Sequence, residues 1–146
     1  MPKILLYFFL FGVSIHSTSS QNWSIDIEEA KMAAAKENKN ILLVFKGSDW
    51  CAPCIKLEKR VFSSEEFISN SNSNFILIEA DFPRKKKNML SKQQQEKNNQ
   101  LGDEYNKNGY FPLVLVLNAK GVVLGTMGYN KLQPLDYLNQ LIDFTK

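Results

Sequence analysis

Two unbroken apolar runs constrain this chain's fold more than any other feature. ILLVF occupies 41–45 and FILIEADF occupies 75–82. A strand with one wetted face alternates apolar and polar residues; a continuous run of this length suits a strand covered on both faces. Between the two runs lies a helical pattern, with Cys54, Leu57, Val61 and Phe62 at helical spacing. Two buried strands joined through a helix imply a right-handed parallel crossover. Such a sheet needs helices on both faces.

The remaining segments fit around that unit. Trp23 to Asn40 reads as one helix with a short entry, with Ile27, Ala30, Met32 and Ala34 on its apolar side. Asp26, Glu28 and Glu29 lie at its start, and Lys36 and Lys39 near its end, as the helix dipole favours. SSEEF after Phe62 offers a serine cap for a short further turn. NSNSN, 70–74, is a loop, and Pro83 ends the second run. RKKKN is a basic connector, read as a solvated loop with partner docking as the alternative. The polar stretch 89–109 reads as an exposed helix with a thin apolar side through Leu90, Gln94, Leu101 and Tyr105, or else as partly disordered. FPLVLVLN and VVLGTMGY flank the turn AKG and form a hairpin. Gly125 and Gly128 there permit a bulge or a close approach. PLDYLNQLIDF, 134–144, closes the chain as an amphipathic helix through Leu135, Leu138, Leu141 and Ile142, with Pro134 in its first turn. The expected class is α/β: a mixed central sheet of four or five strands, helices on both faces, and a C-terminal hairpin followed by a helix.

The first twenty residues are unlike the rest. Lys3 precedes an apolar run, Ile4 to Val13, and small polar residues follow. That layout is a secretory signal peptide, with cleavage near Ser20 and the domain proper at 21–146. The run is short of the about 20 residues a spanning helix needs; an uncleaved membrane anchor is the alternative. The expected location is therefore periplasmic or secreted. Losing Lys3 takes the 18 basic residues to 17, against 15 acidic, for a net charge of +2. So mild a charge argues for no nucleic-acid partner. The single histidine, His16, would leave with the leader.

Without histidine, a protease-type cysteine has no usual base, and a closed zinc site lacks ligands. Both cysteines lie in DWCAPC, 49–54. Their most economical chemistry is with each other, dithiol to disulfide and back. An inert bridge is a weaker reading, because so small a loop stabilises little; a soft copper site on two thiolates is another. Cys51 falls at the end of a loop and Cys54 in the first turn of the next helix. Unpaired backbone N–H groups and the helix dipole favour a Cys51 thiolate, which is the nucleophile in exchange. Pro53 is tolerated there because first-turn N–H groups are unpaired anyway. Cys54, expected to be the more buried, would resolve the mixed disulfide. Trp50 supplies an apolar wall beside Cys51.

VFKGSDWCAPCIKLE resembles the active-site segment of thioredoxins, with the W-C-x-P-C core intact. YFPLVLVLNAKGVVLG, 110–125, resembles the stretch in which that family starts a strand with a cis-proline facing the dithiol; Pro112 has that position. The resemblance extends over 23–146 and is strongest to exported bacterial thioredoxin-like proteins, with 83–109 as a longer connector. It implies a thioredoxin-like fold and a thiol–disulfide oxidoreductase that reduces protein disulfides outside the cytoplasm. Cys51 and Cys54 would be catalytic, with Trp50, Pro53, Phe111 and Pro112 binding substrate, and neither cofactor nor metal. The protein would be a monomer, recharged by a membrane-embedded thiol reductant. A disulfide donor or isomerase, or a non-catalytic peptide-binding module, is the rival.

The chain departs from the family in places. Thioredoxins carry a buried Asp in the strand before the active site; ILLVF has no carboxylate, and Asp49 is expected to be exposed. Glu79, a charge in the second apolar run, is the candidate proton relay beneath Cys54. Ala52 replaces the common Gly after the first cysteine, and Phe111 is bulky for the position before the cis-proline.

Overall fold

The computed structural model describes residues 23–146. The proposed leader, with its cleavage site and His16, lies outside the described residues. The first helix, α1, spans Ile27–Glu37 after a short entry, because the Asp26 side chain accepts from the Glu28 and Glu29 amides. It ends where Asn38 turns left-handed, φ 53°. Ala30 and Ala34 are buried and let α1 lie close on the sheet, whereas Met32, expected on the apolar side, is 66% exposed. The strand β1 (Asn40–Lys46) follows. Helix α2 (Ala52–Leu57) runs on into a wider π turn, Glu58–Phe62. Short helix α3 (Glu65–Ser71) is capped by Ser64, which accepts from the Phe67 amide. Then come β2 (Phe75–Asp81), a 3-10 turn (Lys86–Asn88), α4 (Lys92–Tyr105), β3 (Leu113–Leu117), β4 (Val123–Met127) and α5 (Pro134–Asp143).

The four strands form one sheet in the order β2-β1-β3-β4. β1 pairs parallel with β2 and antiparallel with β3, which pairs antiparallel with β4. The α/β class, the mixed sheet and the terminal hairpin-then-helix are all present. β1 is central, and its alternation serves two cores. Ile41, Leu43 and Phe45 face one with α1 and Leu101 of α4; Leu42 and Val44 face the other with α2, α3 and α5. That is the physical reason β1 is apolar at every position from 41 to 45. β2 is an edge strand, not one buried throughout: Ile76, Glu79 and Asp81 are only half-buried. Ser24 bridges to Ile78 along its outer side, which covers part of the exposed ladder.

Hydrophobic patterning does not reveal the buried side chains of Asn98, Asn106 and Tyr137. In α4, Leu90 lies outside the helix and Asn98 is buried beside Leu101, donating to the Asp81 carbonyl at 2.8 Å. In α5, Leu135 is 46% exposed, while Tyr137 is buried, its hydroxyl donating to the Gly128 carbonyl at 3.0 Å. Asn106, past the end of α4, is buried too and clamps Tyr110 by both its amide and its carbonyl. Gly125 is a close-approach position: a Cβ there would stand 2.1 Å from the Phe144 ring. It lies beside the hairpin's register shift at Val116/Leu117.

Candidate functional site

The loop leaving β1 folds on Gly47. The Cys51 amide donates back to the Gly47 carbonyl at 3.0 Å. The Trp50 indole lies so close that a Cβ on residue 47 would meet it at 2.3 Å. Asp81, at the end of β2, pins the next residue: it accepts from the Ser48 amide at 2.9 Å and the Ser48 hydroxyl at 2.6 Å. Trp50 Nε1 donates to the Phe82 carbonyl at 2.7 Å. These bonds fix the residues that lead into α2.

Cys51 caps that helix. The Cys54 amide donates to Cys51 Sγ at 3.3 Å, and the Ile55 amide to the Cys51 carbonyl at 3.0 Å. The two sulfurs are bonded, with Cα atoms 5.2 Å apart. Burial does not distinguish the cysteines as expected, since each is 4% exposed; position does, Cys51 at the cap and Cys54 within the first turn. Pro53 is exposed in that first turn.

The Phe111–Pro112 peptide bond is cis. Phe111 is half-buried and packs edge-to-face on Trp50 at 5.3 Å and on Phe82 at 5.6 Å between ring centroids. Its backbone N–H and C=O make no hydrogen bond among the described residues. Phe111, beside Pro112, thus packs on Trp50, the residue before Cys51, although the two stretches lie some 60 positions apart in the chain.

Glu79, the candidate proton relay, forms an ion pair at the end of β1. Its carboxylate is 2.5 Å from Lys46 Nζ, and Glu58 is 3.7 Å from the same nitrogen. Lys46 and Glu58, with Ile55, line a cavity of about 280 Å3 against Cys54; Glu79 is one residue removed from it. Burial acts to lower the Lys46 pKa, but the hydrogen bond and charge of Glu79, then Glu58 and Asp81, leave it above its ordinary 10.5. A lysine ending an apolar run was the available signal for this cluster, and sequence reasoning passed over it.

Asp49 is half-buried, not exposed, because it ties two loops together. It accepts from the Arg84 amide, the Lys85 amide and Asn88 Nδ2, each at 2.9 Å. Those bonds, the Arg84 amide foremost, hold its carboxyl below the ordinary 3.8. The Arg84 guanidinium then lies over the Trp50 ring, 3.7 Å from its centroid. A larger cavity of about 490 Å3, near Trp23 and Phe75, touches neither cysteine, so volume does not locate the chemistry. Among the described residues no three His, Cys, Asp or Glu side chains are grouped to hold a metal ion.

A model of the thioredoxin-like family matches residues 22–119. The disulfide bond reductase DsbH of Chlamydia pneumoniae is 36% identical over 101 residues, covering 69% of this chain and 59% of that protein. The chain therefore spans about three fifths of that relative's length. The thioredoxin-related protein DsbJ of the same organism is 35% identical over 60 residues, 41% of this chain and 17% of that one. A solved structure of a DsbH oxidoreductase superposes with a TM-score of 0.79 at 27% identity, covering 99% of this chain and 94% of that one. A disulphide isomerase from Xylella fastidiosa Temecula1 superposes at 0.60 with 20% identity, covering 82% and 88%, a likeness of fold alone.

Proposed function

This chain belongs to the thioredoxin-like family, and from that membership we propose that it is a thiol–disulfide oxidoreductase that reduces protein disulfides through Cys51 and Cys54. The observation that carries the reading is the Cys51–Cys54 bridge at the start of α2, with the Cys54 amide on Cys51 Sγ. In the reduced protein, the Cys51 thiolate attacks one sulfur of the substrate disulfide. That S–S bond breaks, the leaving thiolate takes a proton, and a mixed disulfide remains. Cys54 then loses its proton and attacks Cys51 Sγ, and the second substrate thiol leaves. The substrate gains two electrons and the protein ends as the disulfide. Phe111's backbone N–H and C=O pair with an extended substrate chain beside cis-Pro112. Trp50 and Pro53 border the attacked sulfur, and the Glu79 carboxylate is the proposed acceptor of the Cys54 proton, with Lys46 remaining a cation beside it.

The location we propose is periplasmic or secreted, after cleavage near Ser20, with the protein acting as a monomer. Disulfides persist in such compartments, so a pair that works as a reductant there needs an outside electron supply. A membrane-embedded thiol carrier meets that need. The resemblance of the curated relative named a disulfide bond reductase supports reduction as the direction.

The test is the equilibrium of the pair with a glutathione buffer, read from Trp50 fluorescence. A potential near roughly −270 mV is expected, as for thioredoxin; one near about −120 mV would make the protein a disulfide donor instead. A pair that never exchanges in the folded protein would end the oxidoreductase reading in favour of a peptide-binding module.

A further inference from the structure

The basic connector after β2 lies against the site. Four consecutive cations, Arg84, Lys85, Lys86 and Lys87, are all exposed. None has a carboxylate within ion-pair distance among the described residues, whereas Lys31, Lys39, Lys46, Lys97 and Lys146 each do. The loop is nonetheless fixed. Asp49 holds the amides of Arg84 and Lys85 and the side chain of Asn88, and Lys86–Asn88 form a 3-10 turn. Asp49 is spent on that anchoring and Asp81 on Ser48. Arg84 stacks on Trp50, which directly precedes Cys51. Next to it runs an open groove of about 470 Å3 whose walls are Trp50, Phe82, Pro83, Arg84, Gln95 and Phe111.

We infer that this loop is a docking surface for an acidic stretch flanking the cysteine of the polypeptide whose disulfide the pair exchanges. The inference rests on the oxidoreductase reading above and names the substrate class for it. Unpaired cations on an anchored loop attract anions without first being ordered, so little entropy is lost on contact. Their field acts mainly on the rate of encounter. Because Arg84 lies on the tryptophan beside the nucleophile, an anion held there brings its neighbouring sulfur towards Cys51. A polypeptide satisfies that geometry better than a lipid surface, since only the polypeptide carries the disulfide.

The experiment follows exchange between the reduced full chain and three disulfide-bonded peptides that differ only in the residues flanking the cysteine: acidic, neutral or basic. At low ionic strength the acidic peptide should react about tenfold faster than the neutral one. The ratio should fall towards one by about 0.5 M salt, where charges are screened within a few ångströms. K85Q/K86Q/K87Q should bring the low-salt ratio towards one, and K85E/K86E/K87E should invert it. A wild-type ratio of one at low salt, or a ratio untouched by either triple variant, overturns the proposal. So does binding to phosphatidylglycerol vesicles that the triple variants lose while the peptides react alike; that result assigns the loop to a membrane surface. Hydroxyethyl disulfide separates the two readings. If neither it nor any peptide is exchanged, the oxidoreductase reading fails. Docking is then judged from Trp50 quenching by the acidic peptide with serine for cysteine: quenching lost in the triple variants supports it, and no quenching overturns it.

Discussion

On the Cys54 side of the bridge, Lys46 sits against Glu79 and Glu58, whereas on the Trp50 side Arg84 to Lys87 have no carboxylate within ion-pair distance among the described residues. The first set is half-buried, and charges removed from water must be compensated within the protein. The second is exposed, where water solvates each cation and leaves its field available to whatever approaches. The carboxylate on that side, Asp49, accepts from the Arg84 and Lys85 amides and from Asn88 Nδ2, and so fixes the loop's shape without an ion-pair contact. Around one pair of sulfurs, then, the enclosed side pairs its charges within the protein, and the open side leaves its cations to the solvent.

The widest separation between the two sides should come from the cysteines themselves. Cys51→Ser is expected to abolish exchange with any disulfide, because it removes the sulfur that carries the first bond. Cys54→Ser should keep the attack and lose the resolution, leaving mixed disulfides visible on a non-reducing gel. Full activity in Cys51→Ser would undo both the mechanism and the contrast.

Gly47→Ala comes next. Its Cβ would stand 2.3 Å from the Trp50 ring, so the indole must shift and release its bond to the Phe82 carbonyl. A loss of about 1–3 kcal/mol is expected, measurable by denaturant titration, with a change in Trp50 emission. Stability lost with no change in emission would mean that the loop moved and the indole stayed.

Lys46→Met sharpens the enclosed side. It strands Glu79 and Glu58 beside the Cys54 cavity and should cost about 1 kcal/mol, since both carboxylates keep some access to water. The folded pKa of Lys46 lies above 10.5. Its contribution is therefore complete below that value and fades as pH rises through the folded pKa, and the gap between wild type and variant should narrow there. Glu79→Gln should move the pH dependence of reduction. An unchanged profile takes Glu79 out of the proton path.

The smallest effect belongs to Asp49, whose folded pKa is below 3.8. The anchoring is complete above 3.8 and is lost as pH falls through the folded value. Hydrogen exchange at the Arg84 and Lys85 amides should therefore speed up on acidification beyond what exposed amides show, and Asp49→Ala should produce the same protection loss at neutral pH. Amides still protected in Asp49→Ala would show that the Trp50 stack alone holds the loop.

What could be read in advance follows from how local each signal is. β1 announced itself because both its faces are dry, and the cysteine helix because its apolar residues recur on one side. The cis bond at Pro112 came from resemblance, not from any property of FPLVLVLN. Met32 and Leu135 were placed inward by periodicity yet are exposed. Asn98, Asn106 and Tyr137 are the opposite case: each is polar in sequence and buried because one particular carbonyl awaits it.

By itself the sequence determined the layered class, the central strand and the spacing of the two sulfurs, all of which depend on residues close together in the chain. Tertiary structure alone decided that Glu79 faces Lys46, that Asp49 binds a loop 35 positions on, and that Arg84 covers Trp50. Periodicity assigns a side chain to a face. Its partner across the gap depends on strand register and on which loop ends adjoin, and those are properties of the folded chain.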